Sequence, residues 1–251
     1  MGQTGSDEWL QEHSWILKSL DDSDAVFESL EDKWSFYFDV HRALKTLPGG
    51  ISPEAKISPL ACLEGNVLVD AGAQILPYSM LIGPCYIGKG SIVGNFAVVR
   101  PGTFISRNVL IGNHCYCNEA VIASSVRVSH YCEVSRSFLG PNSTFSAFVI
   151  TATLRADCKP LEVRHISGDR MLRAKIGCII GSNTYIAPHV TISPNTTVGS
   201  NCFVGSFVFV NSDIPSGKRI YSDSSFVYGD NSLIVPRRNL NSFLNESSIY
   251  D

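Results

Sequence analysis

From Ile51 onward, branched aliphatic residues recur every six positions: Ile51, Ile57, Leu63, Val69, Ile75, Leu81, Ile87, Val93, Val99, Ile105 and Ile111. Four residues into each hexad the side chain is small or compact, as at Ala55, Ala61, Ala73, Cys85, Ala97 and Cys115. A period of six is neither 3.6 nor 2, so this is neither an amphipathic helix nor a half-buried strand but an internal repeat. Each hexad reads as a short strand and a turn. Three of them close a triangular coil of about eighteen residues, with parallel strands stacked at roughly 4.8 Å. The aliphatic residue points into the prism. Gly and Asn fill turns, as in Ile87-Gly-Lys-Gly and Ile111-Gly-Asn, where a positive φ or a local side-chain hydrogen bond is needed. The fold class is mainly β: a parallel β-helix of hexapeptide repeats.

Continued in steps of six, the frame places Cys117, Ala123 and Ser129 inward, then slips by four after Val134 and resumes at Leu139 and Phe145. An insertion follows over residues 155–175. Clean hexads return at Ile180, Ile186, Ile192, Val198, Val204 and Val210. The two blocks predict about seven coils. The β-helix spans residues 49–216, and residues 217–251 form a C-terminal tail in which hexads cease.

Residues 1–48 are a different material. Leu10, His13, Leu17 and Leu20 recur at helical spacing, as do Val26/Phe27, Leu30, Trp34, Tyr37/Phe38, His41 and Leu44. Pro48-Gly49-Gly50 ends the segment. These aromatics are expected to dock helices against the side or base of the solenoid and cap its first coil. His13 and His41 read as packing residues.

Composition narrows the chemistry. A net charge of −3 over 251 residues leaves no nucleic-acid footprint, and no apolar run is long enough to cross a membrane. A cytoplasmic protein is the expectation. The eight cysteines lack Cys-x-x-Cys spacing, so they read as buried free thiols, and no metal is expected. The insertion breaks the pattern. It carries Arg155, Lys159, Arg164, Arg170, Arg173 and Lys175 against Asp157, Glu162 and Asp169, a balance that suits a phosphorylated ligand or a solvated loop. His114, His165 and His189 read as surface groups.

The segments Arg100-Pro-Gly-Thr, Ile111-Gly-Asn, His130, Thr151-Ala-Thr-Leu-Arg, Asp157-Cys-Lys159 and Lys175-Ile-Gly-Cys-Ile-Ile-Gly-Ser resemble one family. It is the C-terminal β-helix of bifunctional sugar-1-phosphate nucleotidylyltransferase/amino-sugar-1-phosphate acetyltransferases, matched from about residue 80 to 215. The resemblance implies a left-handed helix, although parallel crossovers are right-handed as a rule. It implies a homotrimer with clefts between subunits, acetyl-CoA as co-substrate, and a general-base histidine at the position of His130. It further implies phosphate binding by Arg100, an active-site role for Lys159, and an acetyl-CoA cleft lined by Ser182 and Ser200. Arg173 and Lys175 join that cofactor set through the basic insertion. No glycine-rich nucleotide loop precedes the repeats.

Three substrate positions depart from the family pattern: Asn118 stands for a lysine, Glu133 for a tyrosine and Thr153 for an asparagine. The first two leave the pocket two charges less positive, so a phosphorylated amino sugar should bind less well, or the acceptor should differ. Three readings follow: an acetyl-CoA-dependent N-acyltransferase acting on an amino sugar or related amine; a catalytically degenerate scaffold or partner of a separate nucleotidylyltransferase subunit; and an acyltransferase using a carrier protein.

Overall fold

The computed structural model describes residues 3–21, 33–164 and 170–222. Three flat parallel sheets form a triangular prism of about nine turns, a left-handed β-helix. Sheet A runs from Gly50–Ile51 to Thr197–Val198 in eight strands, and sheet B from Lys56–Ile57 to Arg219–Ile220 in nine. Sheet C runs from Cys62–Glu64 to Phe209–Val210 in eight. By strand spacing the prism is about 38 Å long. Its interior is the aliphatic row expected from the hexads: Ile75, Leu81, Ile87, Val93, Val99, Ile105 and Ile111 are all buried. Each contributes roughly 1.5–3 kcal/mol by leaving water.

The expected count of seven coils falls short because the strands Glu133–Ser135, Ile150–Thr151 and Arg219–Ile220 lie outside the hexads counted, and the register changes midway. Ile105 pairs with Ile122 and Ile122 with Leu139, advances of seventeen residues rather than eighteen. One residue is lost at the corner between sheets C and A on two successive turns. Ile122 and Val128 therefore fill the interior, not Ala123 and Ser129. Ala123 instead packs outside the prism, in the layer beneath the helices. The apparent slip of four is these two lost residues, read modulo six. At the far end Val204 pairs with Ile220, so the last strand lies beyond the expected boundary at residue 216.

Three helices, α1 (Gln3–Glu12), α2 (Ser14–Asp21) and α3 (Lys33–Leu44), cover sheet A. The first helical stripe breaks at His13, whose ring stacks on Trp9 at 4.4 Å. Because this sheet is covered, its outward positions are large and apolar: Leu68, Tyr86, Phe104, Val121 and Phe138 meet Trp9, Ile16, Leu20, Tyr37 and Val40. The stretch from Val26 to Leu30, His165 and the chain from residue 223 lie outside the described residues.

The corners share one backbone conformation and use different chemistries. Between sheets A and B the positive-φ residues are Gly72, Gly90, Asn108, Ser125, Asn142, Asn183 and Asn201, as turn propensity predicts. Between sheets B and C they are Tyr78, Phe96, His114, Tyr131, Phe148, His189 and Phe207. Bulky side chains are disfavoured there, so another interaction must offset the strain. The rings supply it: consecutive members stack at 4.7–5.1 Å with interplanar angles of 2–10°.

Candidate active-site face

His130 sits in the corner between sheets B and C, exposed, just before the strand Glu133–Ser135. Its Nδ1 accepts a hydrogen bond from the backbone N–H of Asn113, one coil below, at 3.0 Å. That bond sets the tautomer: a neutral ring with Nδ1 accepting carries its proton on Nε2. The close approach of these two coils also explains Gly112. A Cβ there would lie 2.7 Å from the Ser129 carbonyl carbon and 3.0 Å from the His130 nitrogen.

Three of the expected substrate residues lie on the outer face of sheet C. Tyr116 pairs with Glu133 and Asn118 with Ser135, while the Arg100 N–H donates to the Cys117 carbonyl at 2.7 Å. Arg100, Asn118, Glu133 and His130 thus form one band across three successive coils. Arg100 and Glu133 are exposed and Asn118 half-buried. The Glu133 carboxylate accepts from the Ser135 hydroxyl at 3.1 Å, which orients the side chain on this face.

Thr153 sits at the root of the insertion, where its carbonyl accepts from the Ile176 N–H at 3.1 Å. Beyond it, Arg155 makes a two-pronged bond to Asp157, with both contacts at 2.8 Å. Asp157 also accepts the Lys159 N–H at 3.2 Å. These bonds, the Arg155 side chain first, hold the Asp157 carboxyl at about 2. Lys159 is therefore presented on a turn with its own local order, exposed to solvent.

The remaining expected residues lie elsewhere. Strands Leu161–Arg164 and Arg170–Arg173 pair as an antiparallel hairpin, and Val163 is buried in the helical layer over sheet A. Arg173 consequently sits over the Phe38 ring of α3 at 4.8 Å. Arg173 and Lys175 line a cleft at the corner between sheets C and A. Ser182 and Ser200 occupy the corner between sheets A and B, with sheet B between them and His130. The Ser182 side chain is wholly buried, and its N–H donates to the Ser200 hydroxyl at 3.1 Å. One chain does not bring these four residues to His130.

Six of the eight cysteines are buried and none is disulfide-bonded. No cluster of three metal-ligating side chains occurs among the described residues. Two features escaped the sequence reading. Asn113, which orients His130, acts through its backbone and leaves no side-chain signal. The ring ladder was visible as aromatics eighteen residues apart, such as Tyr78, Phe96 and His114. His114 and His189 belong to it and are stacked on both sides.

Residues 66–101 and 177–212 match the bacterial transferase hexapeptide family of six repeats. The chain is similar to proteins named bifunctional protein GlmU. With that of Methanocaldococcus jannaschii it shares 31% identity over 193 residues, covering 76% of this chain and 47% of the relative. With that of Methanococcus maripaludis strain C5 it shares 34% over 184 residues, 73% and 43%. With that of Jannaschia sp. it shares 32% over 154 residues, 61% and 30%. The chain thus spans less than half the length of these relatives. Among solved structures, the polySia-specific acetyltransferase NeuO aligns with a TM-score of 0.35 and 15% identity, covering 78% of this chain and 99% of that one. The Francisella novicida UDP-N-acetylglucosamine acyltransferase aligns with a TM-score of 0.37 and 14% identity, over 69% and 61%. With these repeats and its three parallel sheets, the chain carries a hexapeptide-repeat domain of left-handed β-helix fold and resembles part of the bifunctional GlmU proteins.

Proposed function

We propose that this chain is an acyl-CoA-dependent acyltransferase acting on the amine of an amino sugar or a related acceptor, with acetyl-CoA as the donor. The observation that carries the reading is the band on sheet C, where His130, Arg100, Asn118 and Glu133 share one solvent-facing surface over three coils. His130 is the general base for the attacking amine. Arg100, exposed and without an ion pair among the described residues, receives an anionic group of the acceptor. Glu133 selects against a highly charged acceptor and favours one with a hydroxyl or ammonium group at that point. The Ser200 corner lies across sheet B from His130, so the donor cleft is completed by a neighbouring subunit of a homotrimer.

The Asn113 bond to His130 supports a second reading, a scaffold without catalysis, because the nitrogen that would take the proton is already engaged. Thiol release from acetyl-CoA across a panel of amino sugars and their phosphates separates the two. Release that depends on an acceptor and falls at least a hundredfold in His130→Ala supports the enzyme. Equal rates in wild type and variant with every acceptor end that reading.

A further inference from the structure

A second cleft lies at the edge of sheet C opposite His130, at the corner between sheets C and A, where α3 and the insertion meet the prism. Its volume is about 480 Å³, within the range of small-molecule sites. Three separate parts of the chain build it: Tyr37 to Lys45 of α3 and the turn after it, the corner residues Pro84, Pro101, Gly102, Glu119 and Arg136, and Arg173 to Ile176 at the return of the insertion.

The charge of this cleft opposes that of the chain. The protein carries −3 overall, yet five cations, Arg42, Lys45, Arg136, Arg173 and Lys175, line the cleft beside one carboxylate, Glu119. Arg136 bonds Glu119 at 2.6 Å, and Arg42 bonds Asp39 at 2.9 Å. Lys45 and Lys175 are exposed at its rim and make no ion pair among the described residues. Gathering like charges is unfavourable unless something of opposite sign joins them.

The rest of the lining is apolar or aromatic: Tyr37, Phe38, Leu44, Pro84, Pro101 and Ile176. The Phe38 ring already carries the Arg173 guanidinium on one face. His41 also lines the cleft, and its Nε2 is buried with no hydrogen-bond partner. Its other nitrogen, Nδ1, is spent on the Tyr37 carbonyl at 2.8 Å.

We infer that this cleft binds an organic phosphate: a phosphate ester whose anionic end meets Lys45, Lys175 and Arg173, and whose flat ring lies against the Phe38, Pro84 and Pro101 wall. A bare phosphate leaves the apolar wall and most of the volume unused, and an uncharged ring leaves the lysines unmatched. Bound there, the ester joins α3 to the insertion. The inference stands apart from the acyltransferase reading, since no residue of the cleft belongs to the His130 band.

The probe is 1-naphthyl phosphate, titrated by its fluorescence into the full chain, with 1-naphthol and inorganic phosphate as comparisons. Saturable binding is expected, weakened by salt, with each comparison compound at least about tenfold weaker. The double variant Lys45→Gln, Lys175→Gln should lose at least about tenfold in affinity with an unchanged thermal midpoint, and His130→Ala should bind as wild type does. In wild type the probe should also protect Lys45 and Lys175 from acylation by an N-hydroxysuccinimide ester. Absence of saturable binding, or affinity unchanged in the double variant with both lysines unprotected, overturns the site. Loss of binding in His130→Ala moves it to the other face, and phosphate binding as tightly as the ester removes the ring wall.

Discussion

The backbone N–H of Asn113 donates to Nδ1 of His130 across one turn of the prism, at 3.0 Å. The ring it holds is therefore the Nε2–H tautomer, which offers a hydrogen-bond donor outward. To accept a proton from an amine, His130 must either release Asn113 or turn over. Nitrogen-15 chemical shifts of the unliganded protein should show Nδ1 as the bare nitrogen while the ring is neutral. Acceptor binding, if the enzyme reading holds, should shift that population toward Nδ1–H. A neutral ring already carrying its proton on Nδ1 would contradict the hydrogen bond and restore His130 as a ready base.

The register of the middle coils has a direct test. With seventeen-residue turns, Ile122 is an interior residue and Ser129 a corner residue. Ile122→Ala should cost about 2–5 kcal/mol, as other interior truncations do, and lower the urea midpoint accordingly. Ser129→Ala should stay within about 0.5 kcal/mol, because only its backbone is used: its N–H donates to the Phe145 carbonyl at 2.8 Å and its carbonyl accepts from the Cys115 thiol at 2.7 Å. Under an unbroken six-residue frame Ile122 would point out of the prism, and its truncation would not leave an interior cavity.

That pair of residues also shows what the sequence could disclose. Where hexads are perfect, from Ile51 to Ile111, every inward residue was readable, because a single row of aliphatics has one physical explanation. From Cys117 onward the frame loses a residue at one corner twice. Ala123, small and apolar, then passes for an interior residue while it serves the helix-facing layer. Pattern alone does not tell the two buried layers apart. The site was less legible still. Arg100, Asn118, Glu133 and His130 share a face because of strand register, which sequence spacing approximates. Arg173 and Lys175 were assigned with Ser182 and Ser200 to the acetyl-CoA set through the charge of the insertion, but the insertion folds back on α3, anchored by Val163. Its direction depends on a tertiary contact outside the repeat.

The ring ladder balances backbone strain against stacking, and the two can be separated at Tyr131. Its φ is +58°, and its ring stacks on His114 at 4.8 Å and on Phe148 at 5.1 Å. Tyr131→Ala loses both stacks and keeps the strain, so it should destabilise by about 1–2 kcal/mol. Tyr131→Gly loses the same stacks but removes the left-handed penalty of about 1 kcal/mol. Glycine should therefore be no worse than alanine here, contrary to its usual rank. Tyr131→Phe should be neutral. Equilibrium denaturation of the three variants decides the point, and a glycine variant clearly weaker than the alanine one would remove strain from the account.

The same α3 that builds the second cleft gives the fold a pH dependence of predictable sign. Burial pushes the His41 imidazole below its ordinary 6.5, outweighing the Tyr37 carbonyl and Glu119, which favour the cation. Arg136 pushes in the same direction as burial. Below 6.5 the unfolded chain takes up a proton that the folded chain refuses. Stability associated with His41 is thus present at neutral pH and falls as the pH drops from about 6.5 toward the lower folded value. The Tyr37 hydroxyl, raised by burial and donating to the Glu119 carbonyl at 2.9 Å, acts at the alkaline end. Its share is kept below its ordinary 10 and is lost as the pH rises above it. In His41→Gln the loss of thermal midpoint between about pH 7 and pH 5 should be smaller than in wild type, while the alkaline loss is retained. Tyr37→Phe should show the reverse. An acid limb of equal slope in His41→Gln and wild type would mean that His41 titrates alike in both states, and that its burial against α3 and the prism corner does not hold in solution.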